Sequence, residues 1–216
     1  MKKTLLKKDL FGEVWEQEEN GTPTLLRDAR PARWWVAWIA GVLLRREARA
    51  LAALTNIDGI PQLVRYDDKT LVRSFLPGKP MYQARPTSAL YFRRAAQLLR
   101  RIHTAGVVHN DLAKEPNILV TPDGFAAFID FQLAAHSRSR GRLFRAAAKE
   151  DIRHLLKHKR TYRPDLLTAR EQDILDSPSW ASRIWMSVFK PAYLFITRKV
   201  FRWADREGAA DRGRID

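Results

Sequence analysis

His109-Asn110-Asp111-Leu112-Ala113-Lys114-Glu115-Pro116-Asn117, followed by Ile118 to Val120, Pro122-Asp123-Gly124 and Phe125-Ala126-Ala127-Phe128-Ile129-Asp130-Phe131-Gln132, decides how this 216-residue chain is read. Two short apolar runs meet at a tight Pro-Asp-Gly turn, the pattern of a hairpin with half-buried or buried strands. Such a hairpin brings its open ends together, and those ends carry Asn117 and Asp130, 13 positions apart. An amide oxygen beside a carboxylate suits Mg²⁺, a hard cation that prefers oxygen ligands. Asp111 adds a second carboxylate upstream, placed to accept or orient a hydroxyl proton. Phosphoryl transfer asks for this set: a positioned metal, neutralised phosphate charge and an oriented nucleophile. The competing reading is an Asp-rich surface loop arising by chance; the agreement of ligand-type residues with strand signals tells against it.

Upstream of this segment, Phe11 to Gln17 and Thr24 to Arg27 read as two β runs around the turn Glu18-Glu19-Asn20-Gly21. Pro31 then introduces a helical pattern from about Arg33 to Leu54, with Leu43, Leu44, Ala48, Leu51 and Leu54 at helical spacing. Gln62 to Tyr66 and Thr70 to Phe75 are strand-like, and Thr87 to Thr104 is a second helix stopped by Gly106. Val107-Val108-His109 is a short strand before the polar loop. Downstream, Ser137 to Arg145 is polar and arginine-rich, Glu150 to Lys157 is helical, and Trp180 to Trp203 is an aromatic and basic helical region broken at Pro191. The order predicts an α+β, two-lobed protein, with a small N-terminal lobe over residues 1–75 and a helical lobe over 76–216.

The segment from His109 to Asn117 together with Asp130-Phe131-Gln132 resembles the catalytic loop and metal-binding motif of the protein-kinase-like superfamily, which has the same Asn-to-Asp separation. In style it is similar to the compact bacterial lipopolysaccharide-kinase and RIO-like groups, with a reduced N-lobe sheet and a short C-lobe. The resemblance spans about Leu5 to Leu156 and implies ATP and Mg²⁺, with Asp111 as catalytic carboxylate and Asn117 and Asp130 as metal ligands. Asp111 to Asn117 is six positions, where the usual H-R-D-x-x-x-x-N pattern has five, so the loop path differs. Gln132 stands where kinases have a glycine, which argues against a switching activation segment. His109 is read as a packing residue. Lys114 is placed either to reach the transferred phosphate or simply to be solvated. Asp151 resembles the aspartate that braces the loop from a later helix.

The nucleotide side is degraded. Phe11-Gly12-Glu13-Val14 resembles the last half of the glycine-rich loop G-x-G-x-x-G-x-V, which makes Gly12 and Val14 cofactor-binding candidates. The earlier glycine positions fall on Lys7 and Asp9, and Lys7 and Lys8 compensate by charge at best. The lysine that anchors phosphates is replaced by Arg27, whose partner from the next helix is Glu47. Arginine's planar fork is no isostere of lysine. Glu47 among arginines also reads as an ordinary surface helix residue.

Composition narrows the rest. The chain has no cysteine, which excludes disulfides and thiolate metal sites and fits a cytoplasmic, reducing compartment. The N-terminus has no apolar run of signal-peptide length. The longest uncharged apolar stretch, Trp34 to Leu44, is about half of the ~20 residues a bilayer crossing needs. A net charge of +15 predicts a polyanionic partner, whether nucleotide, anionic lipid, nucleic acid or phosphorylated glycan, unless it is only a solvated surface. No nucleic-acid-binding motif is visible. The aromatic and basic tail suits either core packing or the inner face of a membrane. The function expected is ATP-dependent phosphoryl transfer to a hydroxyl acceptor on a glycan, a protein or a small molecule. A pseudokinase acting as a scaffold is the alternative.

Overall fold

The computed structural model describes residues 3–19 and 21–177. The aromatic and basic region from Trp180 to Trp203 therefore lies outside the described residues. The N-terminal part is an antiparallel five-stranded sheet in the order β1-β2-β3-β5-β4, built from β1 (Lys3–Asp9), β2 (Gly12–Glu19), β3 (Thr22–Asp28), β4 (Leu63–Tyr66) and β5 (Thr70–Ser74). One helix, α1 (Ala37–Ala53), is inserted between β3 and β4. Helical residues begin at Ala37, later than the periodicity suggests, because Arg33 to Val36 form turns tied to the β1–β2 connection by Arg33 N–H donating to Leu10 O at 3.2 Å. The strand β1 was not read from the sequence at all. Nearly all its residues are exposed, so no period-2 alternation marks it.

Gly12 opens β2 at φ +131°, and a Cβ there would lie 2.0 Å from Asp28 O. Only glycine permits β2 and β3 to pair this closely at that point, whatever else the turn binds.

The C-terminal part begins with β6 (Lys79–Pro80) and the one-turn α2 (Met81–Ala84), followed by α3 (Ala89–Thr104). Ser88 caps α3 by accepting from Leu90 N–H at 3.2 Å, and Phe92, Ala95, Leu99 and Ile102 form its buried face. Gly106 ends it at φ +78°, with Ser137 O only 2.7 Å from where a Cβ would sit. Next come β7 (Val107–Val108), β8 (Ile118–Val120), β9 (Ala126–Phe128) and β10 (Ala135–His136). The hairpin β8–β9 pairs Ile118 with Phe128, as the turn chemistry required, and β6 adds to its outer edge. β7 pairs with β10. Two further helices follow, α4 (Arg142–Tyr162) and α5 (Ala169–Asp176); α4 takes in part of the arginine-rich stretch and is much longer than the span expected.

One apolar cluster joins Leu44 and Leu51 of α1, Leu54 just past its end, Leu71 of β5, Tyr91 and Ile102 of α3, and Leu112, Phe128 and Phe131 beside the polar loop. The loop that carries Asp111 therefore rests on fully buried side chains. Among the described residues no helix is long and apolar enough to cross a membrane.

Candidate active site

Arg27 lies on β3 opposite Leu71 of β5, on the sheet face turned toward α1. Its Nε is 3.3 Å from Glu47 Oε2, and its Nη2 is 3.5 Å from Asp130 Oδ1. The expected Arg27–Glu47 pair is therefore formed, and Glu47 is fully buried rather than a surface residue. Arg73 of β5 approaches the same carboxylate from the other side, Nε to Oε1 at 3.3 Å, and is itself 6% exposed. Two guanidiniums and two carboxylates thus form a neutral chain: Arg73, Glu47, Arg27, Asp130.

Charges removed from water this far must compensate one another. Burial works against the charge of Arg27, but Glu47, then Asp130 and Asp9, outweigh it and raise its pKa. Burial dominates at Arg73, with Glu47 opposing and Arg27 adding to the effect, so its pKa is lowered. Neither oxygen of Glu47 has hydrogen-bond geometry with its partners, so the pairs are electrostatic contacts.

The metal-type residues meet as the hairpin requires. Ile129 N–H donates to Asn117 O at 3.0 Å, closing the open end of β8–β9. Asn117 is 5% exposed, and its Nδ2 donates to both Asp111 O at 3.0 Å and Asp111 Oδ2 at 2.9 Å. Its Oδ1 is the atom that could serve a cation. Asp130 stands in the left-handed region at φ 64°, and its Oδ1 is buried with no hydrogen-bond donor. A strained non-glycine backbone under an undonated carboxylate oxygen is the arrangement a cation would stabilise. These residues fit Mg²⁺ with phosphate oxygens and water completing the shell. No cluster of three His, Cys, Asp or Glu side chains able to hold a metal occurs among the described residues.

Asp111 accepts from Asn117 and lies 3.1 Å from Lys114 Nζ. Burial pushes its carboxyl above the ordinary range, with Asp130 adding to it and Lys114 and Asn117 opposing. The extra residue between Asp111 and Asn117 is absorbed by a single 3-10 turn, Glu115–Asn117, with Pro116 inside it. Asn117 N–H donates to Lys114 O at 3.1 Å, which restores the Asp-to-Asn approach despite the longer path.

Helix α4 holds this loop from below. Asp151, 1% exposed, accepts from His109 N–H at 2.7 Å and Asn110 N–H at 2.9 Å. Two and three turns further on, His158 Nε2 meets Leu112 O at 2.7 Å and Tyr162 donates to Glu115 Oε2 at 2.5 Å. Positions 151, 158 and 162 share one helix face. His109 Nε2 lies 3.0 Å from Ile129 O, so it carries the proton and donates. Burial keeps the imidazole neutral, and its ring lies 4.5 Å from that of Phe131. His109 is thus a staple between the loop and the strand leading to Asp130. Beyond Asp130, Arg46 donates to Leu133 O and Ala134 O, and Asn110 Nδ2 also donates to Leu133 O. These bonds tie down the backbone just after Asp130-Phe131-Gln132.

Gly12, Val14, Arg27, Leu44 and Gln132 line a narrow cleft beneath the β1–β2 turn, so the expected nucleotide-side residues come together. A larger cavity of about 540 Å³ opens on the opposite sheet face, between Gln17, Leu26, Arg65 and Thr70, and contains none of the candidate residues. Arg73, Arg46, His158 and Tyr162 were not foreseen.

A RIO domain matches residues 30–170, well over half of the chain. The chain belongs to the RIO family. RIO proteins are small atypical kinases of protein-kinase-like fold, and the α+β architecture with its reduced antiparallel sheet agrees. The family assigns a kinase-like, ATP-binding phosphotransferase type that generally uses Mg²⁺ with ATP. The RIO match takes in Glu47, Arg73, the Asp111 loop, Asp130 and Asp151, whereas Gly12, Val14 and Arg27 precede it.

Proposed function

We propose that this RIO-family protein transfers the γ-phosphoryl group of ATP to an alcohol hydroxyl. The reading rests above all on Arg27, which stands within ion-pair distance of both Glu47 and Asp130 and so joins the nucleotide side to the metal side. Arg27 holds phosphate oxygens, with Gly12 and Val14 of the β1–β2 turn above them. Glu47 fixes the position of Arg27. Asn117 and Asp130 hold Mg²⁺, which when bound neutralises phosphate charge. Asp111 orients the acceptor hydroxyl and takes its proton, and Lys114 beside it steadies the phosphoryl group in transit. Arg27 and Asp130 neutralise each other across the cleft.

The acceptor we favour is a sugar hydroxyl of a lipid-linked glycan such as lipopolysaccharide, since a charge of +15 suits an anionic substrate surface. A protein Ser/Thr or a small molecule is the other class. Such a reaction places the protein at the cytoplasmic, ATP-supplied side of a membrane, with lobes dividing near Phe75.

A second reading, a nucleotide-binding pseudokinase, is favoured by Arg27 in place of lysine and by Lys7 and Asp9 at glycine positions. Incubation with γ-labelled ATP and Mg²⁺, against glycolipid and protein acceptors, separates the two. The kinase reading expects label transfer by wild type and its loss in Asp111→Asn with ATP affinity kept within a few-fold. Tight ATP binding without transfer to any acceptor class in either protein supports the pseudokinase.

A further inference from the structure

The outer face of α1 has no role in the site. At 100° per residue, Trp38, Val42, Arg45 and Arg49 fall within an arc of about 60°. That arc lies diametrically opposite the buried stripe of Ala40, Leu44, Glu47 and Leu51. Trp38 is 69% exposed and Val42 44%, and both arginines are exposed. Trp34, in the turn leading into the helix, is 88% exposed. Indoles are seldom left this open to water, because each wastes a large apolar surface. The only acid on α1 is Glu47, and it points inward. The stripe is therefore aromatic at one end, cationic at the other and free of negative charge.

We infer that this face of α1 is a docking surface for an anionic lipid bilayer. Indole rings settle at headgroup depth, where an apolar body meets a polar rim, and arginines along the same stripe reach lipid phosphates while their stems stay apolar. Charge complementarity commits the choice. A protein groove receiving two tryptophans would not need an acid-free row of arginines behind them, while a surface of phosphodiesters does. Because the stripe lies on the helix that carries Glu47, docking holds the site at a fixed height above the membrane.

The test uses the full chain and vesicles of phosphatidylcholine with or without phosphatidylglycerol. Trp34→Ala/Trp38→Ala is expected to weaken partition onto anionic vesicles by about tenfold or more, from the apolar area of two rings. Arg45→Gln/Arg49→Gln is expected to weaken it about fivefold per residue and to flatten its salt dependence. Circular dichroism confirms that each variant folds. The chain has no cysteine, so Val42→Cys carries a single environment-sensitive label that should shift to the blue only with anionic vesicles. Binding to anionic vesicles that is undiminished in both variants with an unshifted label overturns the inference, because another part of the chain then makes the contact. Failure of wild type to bind anionic vesicles overturns it equally, and loss of self-association in the tryptophan variant under those conditions would identify a protein partner instead.

Discussion

Arg73→Leu tests the idea that Glu47 needs two guanidiniums. Removing one partner from a buried ion pair costs about 3–5 kcal/mol, because the remaining charge is left desolvated. Glu47 is wholly buried, but Arg27 stays 3.3 Å from its other oxygen, so the lower end, about 3 kcal/mol, is expected. For a chain of this size that corresponds to a fall in Tm of roughly 6–12 °C, readable by calorimetry. The loss should couple to Glu47: in a double-mutant cycle, Arg73→Leu with Glu47→Gln should destabilise by less than the two singles added. Nucleotide affinity should fall as well, since Arg27 must then serve Glu47 alone. A Tm within about 2 °C of wild type, or strictly additive effects, would show that Arg73 packs beside Glu47 without supporting it.

Three further outcomes follow from the same geometry. The acid limb of kcat/KM should report Asp111 with a pKa above the ordinary Asp value, so that activity rises with pH through that raised value; a limb at or below it would dismiss burial as the controlling influence. His109 and His154 are both held neutral, chiefly by burial, with folded pKa values below the unfolded value near 6.5. Their contribution to stability is thus complete above about pH 6.5 and lost as pH falls, by about 1.4 kcal/mol per pH unit for each histidine, and His154→Gln should remove its share of the slope in acid-unfolding titrations. Asp151→Ala should cost about 2–4 kcal/mol and raise hydrogen exchange at His109 and Asn110, whose backbone amides it accepts; unchanged exchange there would contradict the bracing role.

The hairpin, the α+β order and the closing of the hairpin end where Asn117 meets the strand before Asp130 were legible because turn chemistry and residue type pointed the same way. The Arg27–Glu47 pair was legible only through the resemblance, since Glu47 amid Arg45, Arg46 and Arg49 carries no sign of burial on its own. Arg73 was hidden by its strand. In Thr70–Ser74 four of five positions are buried, so an arginine between Val72 and Ser74 reads as the solvent-facing member of an alternation that does not exist. The strand β1 failed in the opposite way, because exposure on both faces erases the period. The start of α4 was masked by arginines that are solvated on its surface; of its three loop-holding residues, Asp151 was legible through the resemblance, whereas His158 and Tyr162 are visible only once Asp111's loop lies against the helix.

A Mg²⁺-dependent nucleotide site at Asp130 is tested by titrating ATP calorimetrically with and without Mg²⁺ into wild type and Asp130→Asn. Asparagine tolerates the left-handed backbone at φ 64° and removes only the charge. Wild type is expected to bind ATP at least about tenfold more tightly with Mg²⁺ and to gain about 2.7 kcal/mol of stability at a hundredfold excess over Kd. Asp130→Asn should lose the metal dependence while keeping its fold. ATP affinity that ignores Mg²⁺ in wild type, or a metal dependence that survives in Asp130→Asn, would contradict it.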